Sequence, residues 1–363
     1  MRTDAGTRIA VVGYGYWGAK HVRVLTSLTD VGVVVVDSRP QRTAEARRRF
    51  PGVETAARLT DVVDQVDGVV VASPPATHAT LALEALNAGR PTLVEKPLAT
   101  SVREAQTMVD TAALRGVPLM VGHTFEYHPA VHRLKEIISS GELGQILHIE
   151  SARLNLGLYR SDVDVVWDLA PHDISIISYL LDEIPSSVAS WAHRKIKDQH
   201  ADIAYLRLVL EQAAATAFIH VSWLHPTKVR RLTVVGDRRM AVYDDTSDEQ
   251  RIRIHDVRVE SAGGDAPVIY RVGDIVVPRV EFQEPLLVQD AHFVECVRGG
   301  AQPRTPGERG LDVVRVLAAA DVARVTGQWA SVHGDIPRAR VSPESVVNTP
   351  VFAPALINDE VRS

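Results

Sequence analysis

The sequence contains a single cysteine, Cys296, and no apolar run that approaches the roughly 20 residues needed to cross a bilayer. One cysteine excludes an intrachain disulfide and a zinc site with cysteine ligands. No signal-peptide core precedes the short apolar run that ends at Gly13. From these features we expect a cytoplasmic protein with no membrane partner.

The chain also lacks an excess of positive charge. Lys and Arg number 40 against 45 Asp and Glu, which gives a formal net charge of −5 with histidine neutral. Proteins that bind nucleic acid need a concentrated basic face, so we expect no nucleic-acid partner. At 363 residues and 45% hydrophobic content, the chain is long enough for two domains of about 150 residues each.

Residues 1–123 alternate strand-like and helix-like segments, which is typical of a doubly wound α/β domain with a parallel sheet. The strand-like runs cover residues 8–13, 31–37, 68–73, 92–95 and 118–122, and the helix-like segments cover 19–28, 41–50, 77–88 and 101–115. Ser101 and Glu104 have the spacing of a capping box, and Gly89 and Gly116 follow two helix ends.

The pattern changes after residue 123. Helix-like segments follow Pro129, run from about Leu169 to Leu181, and recur at 286–298 and 311–326, with strand-like runs at 146–158, 204–210, 216–223, 229–236 and 251–257. Strands that follow one another without helices between them favour an antiparallel sheet. We therefore predict an α+β domain over 124–345 with a large, mainly antiparallel sheet, followed by a tail over 346–363.

Gly13, Gly15 and Gly18 form a G-x-G-x-x-G motif where the first strand-like run gives way to the first helix. The first glycine permits a tight turn, the second lets a pyrophosphate approach the backbone, and the third lets the helix pack closely on the strand. The motif thus predicts a Rossmann dinucleotide-binding domain, with Tyr16 and Trp17 lining the cleft and helix N-terminal amides facing the phosphates.

Asp37 ends the second strand-like run, 19 residues after Gly18. A carboxylate there accepts hydrogen bonds from both ribose hydroxyls and repels a 2′-phosphate, so it favours NAD over NADP. Arg39 could instead serve a 2′-phosphate, which leaves NADP open. A purely structural role for Asp37, as a turn residue before Pro40, is the alternative.

Further cofactor contacts are predicted at the ends of the next two runs. Ser73 and Pro74 follow one run, with His78 at the start of the next helix, and Glu95 and Lys96 follow the other. Ligands of doubly wound sheets bind at this carboxyl edge. We interpret Lys96 as a residue that holds a substrate oxygen, although an ordinary surface lysine is also compatible with the sequence.

Asp168 and His172 lie in the segment from Trp167 to Asp173. A histidine can transfer protons near neutral pH, and an adjacent carboxylate can orient it. We expect Pro171 in the first turn of the helix, where its missing N–H was unpaired in any case. That position would place His172 in the same turn and would make Asp168 a candidate N-cap, the structural alternative to a catalytic role.

Several segments together resemble the Gfo/Idh/MocA family of oxidoreductases. They are VVGYGYWGAKHVR, EKP, GHTFEYHPAV, WDLAPHDISI, SWLHPTKVRRLTVVG and MAVYDD. The resemblance implies a Rossmann domain that binds NAD or NADP and an open-faced sheet domain that completes the substrate site. It implies catalytic roles for Lys96, Asp168 and His172, and a homodimer or homotetramer formed through the sheet.

The activity implied by the resemblance is NAD-dependent oxidation of a secondary ring hydroxyl, at carbon 3 of an amino sugar, a sugar nucleotide or an aminoglycoside precursor. NADPH-dependent reduction of a keto sugar and a non-catalytic dinucleotide sensor remain alternatives. A tyrosine acid is expected in the reductases, where this chain has Asp168 and His172.

Substrate contacts are predicted from strand alternation. Arg153, Asn155 and Gly157 would face one way, with the intervening leucines facing a core. We assign Arg153, Asn155, Arg160 and His123 as candidate substrate-binding residues. No metal site is predicted, because the pair of histidines at 128 and 132 has no obvious third ligand.

Overall fold

Two β-sheets organise the chain. The computed structural model describes residues 6–333 except 158, 160–162, 197–199 and 261–266, so the predicted tail and Arg160 lie outside the described residues. Within the described part, no helix has the length and apolar character needed to span a membrane.

The first sheet has six parallel strands in the order β3-β2-β1-β4-β5-β6, which confirms the doubly wound prediction. Its strands are Thr7–Val12 (β1), Val31–Val36 (β2), Glu54–Ala56 (β3), Gly68–Val71 (β4), Thr92–Glu95 (β5) and Leu119–Gly122 (β6). Its helices are Tyr16–Leu25 (α1), Pro40–Arg49 (α2), His78–Asn87 (α3) and Val102–Arg115 (α4). The edge strand β3 was missed, because three residues are too few to show a periodic pattern.

The ends of α4 follow the predicted local chemistry. Ser101 is the N-cap, and its Oγ accepts a hydrogen bond from the backbone N–H of Glu104 at 3.2 Å. Gly116 ends the helix in the left-handed region with φ +63°. Both observations confirm the predicted boundaries.

The second sheet has nine strands in the order β14-β13-β12-β11-β7-β10-β9-β8-β15. They are Ile146–Leu154 (β7), Ser187–His193 (β8), Ile203–Leu210 (β9), Ala215–Ser222 (β10), Val229–Gly236 (β11), Met240–Asp244 (β12), Ile252–Glu260 (β13), Ile269–Val276 (β14) and Ala330–Ser331 (β15). Only β7 and β10 pair in parallel within this described sheet. The mainly antiparallel sheet is therefore confirmed.

Helices cover one face of this sheet. They are Pro129–Ser139 (α5), Val165–Leu181 (α6) and Gly307–Thr326 (α8), and their apolar residues share one core with alternate residues of the strands. In β9, for example, Leu206 and Leu208 are buried, whereas Tyr205 and Arg207 on the opposite face are exposed. The sheet is thus open on its other face, as the family resemblance implies.

The C-terminal helices connect the two sheets. Phe293 and Val294 of Pro285–Val297 (α7) pack into the core beneath α1. Leu311 and Val314 of α8 join the core of the first sheet, while Leu317 of the same helix joins the core of the second sheet. Any site between the two sheets is therefore held by helices that pack against both cores.

Helix α6 begins earlier than predicted, and the prediction for Pro171 was wrong. Asp164 is the N-cap, because its Oδ1 accepts hydrogen bonds from the N–H groups of Val166 at 3.0 Å and Trp167 at 3.1 Å. Pro171 therefore lies inside the helix, and Asp168 is a helical residue rather than the cap. Asp168 and His172, four residues apart, lie on one face of the helix.

Strand β7 is shorter than predicted. It ends at Leu154, and Leu156 beyond it is 78% exposed, so the expected apolar face of leucines was wrong at that position. The pairing partners explain the difference, since β7 pairs with β10 and β11 only as far as Leu154. Alternation of side chains holds only where the backbone remains in the sheet.

Candidate active site

The glycine motif forms the floor of a cleft at the carboxyl edge of the first sheet. Gly13 has φ +92°, and a Cβ there would lie 2.9 Å from the backbone of Ala72 and Ser73. A Cβ on Gly18 would lie 1.8 Å from the carbonyl oxygen of Gly13, whereas a Cβ on Gly15 would meet nothing within 4 Å. Gly13 and Gly18 therefore permit close packing, and Gly15 leaves open backbone that fits a pyrophosphate.

The cleft has a volume of about 850 Å³, within the size range of small-molecule sites. The predicted cofactor residues that line it are Gly13, Gly15, Tyr16, Trp17, Asp37, Ser73, Pro74, His78, Glu95 and Lys96. Gly18 lies below the surface of the cleft, where it packs against the motif itself. The residues present thus fit a dinucleotide.

Asp37 is held at one end of the cleft by backbone N–H groups. Its Oδ2 accepts from the N–H of Tyr14 at 2.8 Å, and its Oδ1 accepts from the N–H of Arg39 at 2.9 Å. Burial opposes the charged form, but these hydrogen bonds and the Arg39 guanidinium lower the pKa of Asp37 below its usual value. Arg58, which sequence reasoning missed, lines the same cleft.

His78 links two loops of the cleft. Its Nδ1 lies 2.8 Å from the carbonyl oxygen of Pro97, and its Nε2 lies 2.9 Å from that of Ser73. Burial lowers the pKa of His78. The ring thus holds the segment that carries Lys96 against the loop after β4.

Glu95 is buried and joined to a histidine that sequence reasoning missed. Its Oε1 lies 3.0 Å from Nε2 of His21, whose Nδ1 lies 2.9 Å from Oδ2 of Asp290. Burial alone would lower the pKa of His21, but the charges and hydrogen bonds of Asp290 and Glu95 raise it to about 10. His21 is therefore an imidazolium between two carboxylates, and it joins α1, β5 and α7.

Lys96 reaches from the first sheet to helix α6. Its Nζ donates to the carbonyl oxygen of Asp168 at 2.6 Å and lies 3.4 Å from Oδ1 of the same residue. Oδ2 of Asp168 accepts a hydrogen bond from Nε1 of Trp223 at 3.2 Å. Asp168 therefore positions the ammonium group of Lys96 from a neighbouring domain.

His172 lines a second cavity of about 330 Å³ beside the cofactor cleft. Trp17 and Glu95 line both spaces, so the two adjoin. Nδ1 of His172 is buried and has no hydrogen-bond partner among the described residues. Burial, assisted by the charges of Lys96 and Arg153 among others, lowers the pKa of His172 well below its usual value. A neutral imidazole of this kind can accept a proton.

Comparison with known proteins decides the family. Residues 7–123 match the family model for the oxidoreductase family with an NAD-binding Rossmann fold, and residues 131–242 match the model for the C-terminal domain of the same family. A putative oxidoreductase from Magnetospirillum magnetotacticum MS-1 is 32% identical with a TM-score of 0.73, over 86% of this chain and 98% of that one. The chain belongs to the Gfo/Idh/MocA family of oxidoreductases.

Curated relatives with named activities are also similar. An inositol 2-dehydrogenase 2 from Saccharopolyspora erythraea is 34% identical over 194 residues, and the match spans 51% of this chain but only 57% of that protein. A UDP-N-acetylglucosamine 3-dehydrogenase from Acidithiobacillus ferrooxidans is 27% identical over 324 residues, 88% of this chain and 96% of that protein. The family match over residues 7–123 shows that the N-terminal domain of this Gfo/Idh/MocA protein is an NAD-binding Rossmann domain.

The three candidate substrate residues of this Gfo/Idh/MocA protein that the structure describes do not line either cavity. Arg153 is buried and forms a bidentate pair with Asp173, at 2.9 and 3.0 Å. Neither ring nitrogen of His123, nor Oδ1 of Asn155, has a hydrogen-bond partner among the described residues. Burial, with help from Arg309 and Lys96, lowers the pKa of His123 to about 3. None of these three candidates lines the cleft or the second cavity.

Other residues, not predicted, line the second cavity. They include Lys20, Phe125, Arg230, Asp245, Arg251 and Glu284. The segments GHTFEYHPAV, SWLHPTKVRRLTVVG and MAVYDD, which carry the family resemblance, include Phe125, Arg230 and Asp245. The polar residues of those segments are the sequence signal that could have predicted the lining of the second cavity.

Proposed function

We propose that this chain is an NAD-dependent dehydrogenase that oxidises a secondary ring hydroxyl of a sugar. The candidate substrates are an amino sugar, a sugar nucleotide or an aminoglycoside precursor, with oxidation at carbon 3. One juxtaposition supports the proposal: Lys96 lines the cofactor cleft and His172 lines the adjoining cavity. The charge of Lys96 also contributes to the lowered pKa of His172.

NAD, when bound in the cleft, supplies the acceptor for the hydride that leaves the substrate carbon. In the proposed reaction, neutral His172 accepts the proton of the hydroxyl group as that hydride leaves. Lys96 donates a hydrogen bond to the same oxygen and stabilises the negative charge that develops on it. Asp168 is a positioning residue, since its carbonyl and carboxylate hold the Lys96 ammonium.

Two alternative functions, a reductase and a sensor, make different demands on the site residues. Arg39 and Arg58, which line the end of the cleft near Asp37, favour an NADPH-dependent keto-sugar reductase, whereas the charged Asp37 opposes a 2′-phosphate. A non-catalytic dinucleotide sensor would have no use for Lys96 and His172 at the border of two cavities.

A substrate screen tests the proposal. The protein is mixed with NAD or NADP and with sugar nucleotides, inositols and aminoglycoside intermediates, and formation of reduced cofactor is followed by absorbance. We expect reduction of NAD by at least one sugar and a lower dissociation constant for NAD than for NADP. Tighter binding of NADPH with turnover only of keto sugars would support the reductase, and bound cofactor that never changes its redox state would support the sensor.

We also propose that the enzyme acts in the cytoplasm as a homodimer or homotetramer. The open face of the second sheet supports this assembly, because it exposes large side chains, among them Trp191, Tyr205 and Phe218. Exposed apolar patches of this kind mark association surfaces. A particle mass of one chain by light scattering at micromolar concentration would contradict it.

A further inference from the structure

The second cavity contains hydrogen-bond donors that no described carboxylate satisfies. Lys20, Arg230 and Arg251 line it. Nζ of Lys20 lies 4.6 Å from the nearer of two aromatic ring centres on its own helix and makes no ion pair with a described residue. Arg230 donates from Nη1 to Oδ2 of Asp245 at 3.1 Å, and its Nε and Nη2 have no hydrogen-bond partner in the described part of the chain.

The acidic side chains of the same cavity are already engaged. The carboxylate of Glu95 bonds to His21 and to a backbone N–H, and that of Glu284 pairs with Arg23 outside the cavity. Asp245 contacts both cavity arginines through its two oxygens, at 3.1 and 3.6 Å. The ammonium group of Lys20 and two donor nitrogens of Arg230 are therefore left without a described carboxylate partner.

We propose that this cavity binds a negatively charged substituent, a carboxylate or a phosphate, on the sugar substrate, with Lys20 and Arg230 as its ligands. The inference rests on the proposed function, since it names the class of sugar that the same site oxidises. Guanidinium and ammonium groups form charge-assisted hydrogen bonds with such anions. A protonated amine would find the carboxylates of the cavity already paired, whereas an anion would find unpaired donors, so an acidic sugar is favoured over a cationic aminoglycoside precursor.

The position of the cavity agrees with this assignment. His172, the proposed base, lines the same space, and Asp245, which also lines it, pairs with both Arg230 and Arg251. A volume of about 330 Å³ lies at the small end of ligand sites and suits a single ring. The anionic group would thus orient the ring while the hydroxyl faces His172.

Binding titrations test the inference without requiring turnover. The NADH-loaded protein is titrated by calorimetry with D-glucuronate, D-glucose 6-phosphate, D-glucose and D-glucosamine. We expect the better acidic probe to bind about tenfold or more tightly than glucose. A preference for glucuronate identifies the carboxylate, and a preference for glucose 6-phosphate identifies the phosphate.

Variants assign the preference to the residues. Arg230→Gln and, separately, Lys20→Gln should each reduce the acidic preference severalfold and leave the NADH dissociation constant unchanged. Arg231→Gln is the matched control, because Arg231 is the next residue on β11, pairs with Asp244 at 2.9 Å and does not line the cavity. It should retain the preference.

The inference is overturned if glucose or glucosamine binds as tightly as both acidic probes, if neither acidic probe binds, or if the preference survives both cavity variants. Failure of the proposed function looks different. Acidic probes would then bind with the expected preference, but no sugar of any charge would reduce NAD. Conversely, oxidation of a neutral sugar without any preference for acidic probes would support the dehydrogenase function and contradict only the proposal of an anion-binding cavity.

Discussion

The charge of Lys96 acts directly on the imidazole of His172. Burial is the largest cause of the lowered pKa of His172, and Lys96 has the largest effect among the cationic groups. Because the pKa of His172 is lowered, its imidazole ring stays neutral as the pH falls below 6.5. Oxidation should therefore persist at mildly acidic pH, where an ordinary histidine would already be protonated.

Removal of the Lys96 charge should raise the pKa of His172. We expect Lys96→Met to move the titration of the His172 ring toward 6.5, measured by NMR of labelled imidazole nitrogens, in addition to reducing turnover. Lys135→Met is the control, since Lys135 pairs with Asp182 and is not among the groups that shift His172. An unchanged His172 titration in Lys96→Met would show that the two groups are not near each other.

At the scale of elements, the contact between β1 and α1 determines whether the cofactor cleft forms. The third glycine of the motif lies where helix and strand meet, and a methyl group there would lie 1.8 Å from the carbonyl oxygen of Gly13. The atom in the way is backbone, so the helix N-terminus must move. The amides that face the phosphates would move with it.

Gly18→Ala should therefore weaken NAD binding at least tenfold and destabilise the fold by about 1–3 kcal/mol, the usual cost of overpacking. Fluorescence titration with NADH and urea unfolding measure the two effects. Gly52→Ala is the matched control, because a Cβ at Gly52 meets nothing within 4 Å. Equal NAD affinity in Gly18→Ala and the control would contradict the account of the cleft.

Individual elements also show which parts of the fold are readable from sequence. The glycine motif, Ser101 and Gly116 are local signals, since each acts within one turn of its own position. The start of α6 was not readable, because Asp164 and Asp168 are two acidic residues one turn apart and either could cap. Hydrogen bonding in the folded chain selects Asp164.

At the scale of the whole molecule, the site depends on contacts between distant parts of the chain. His21 and Asp290 are 269 residues apart, and Lys96 and Asp168 are 72 apart. No local pattern predicts such pairs, although the family resemblance supplied Lys96 and Asp168. Arg230 and Arg251 were likewise missed, because strand order in the second sheet brings them together.

The buried His21 imidazolium should make the free energy of unfolding decrease as the pH becomes alkaline. Its pKa in the folded protein is about 10 against 6.5 for an ordinary histidine, so its stabilising effect is complete below pH 6.5 and is lost as the pH rises toward 10. We expect His21→Gln to cost about 3–5 kcal/mol near neutral pH, because it leaves two buried carboxylates without their cation.

Urea unfolding across this pH window measures the difference between wild type and His21→Gln. The difference should shrink as the pH approaches 10. The control is His148→Gln, at a partly exposed position where the ring lies 3.6 Å from Glu150. A difference that is constant with pH would mean that His21 is not charged in the folded protein.

Proton acceptance by His172 is the step on which the proposed oxidation depends, and turnover by His172→Ala tests it once the screen has identified a substrate. We expect kcat/KM to fall by about 100-fold to 10,000-fold, the usual contribution of a general base. The dissociation constant for NAD should stay unchanged, because His172 lines the second cavity rather than the cofactor cleft. Wild-type turnover by His172→Ala with NAD still bound would show that His172 is not the base.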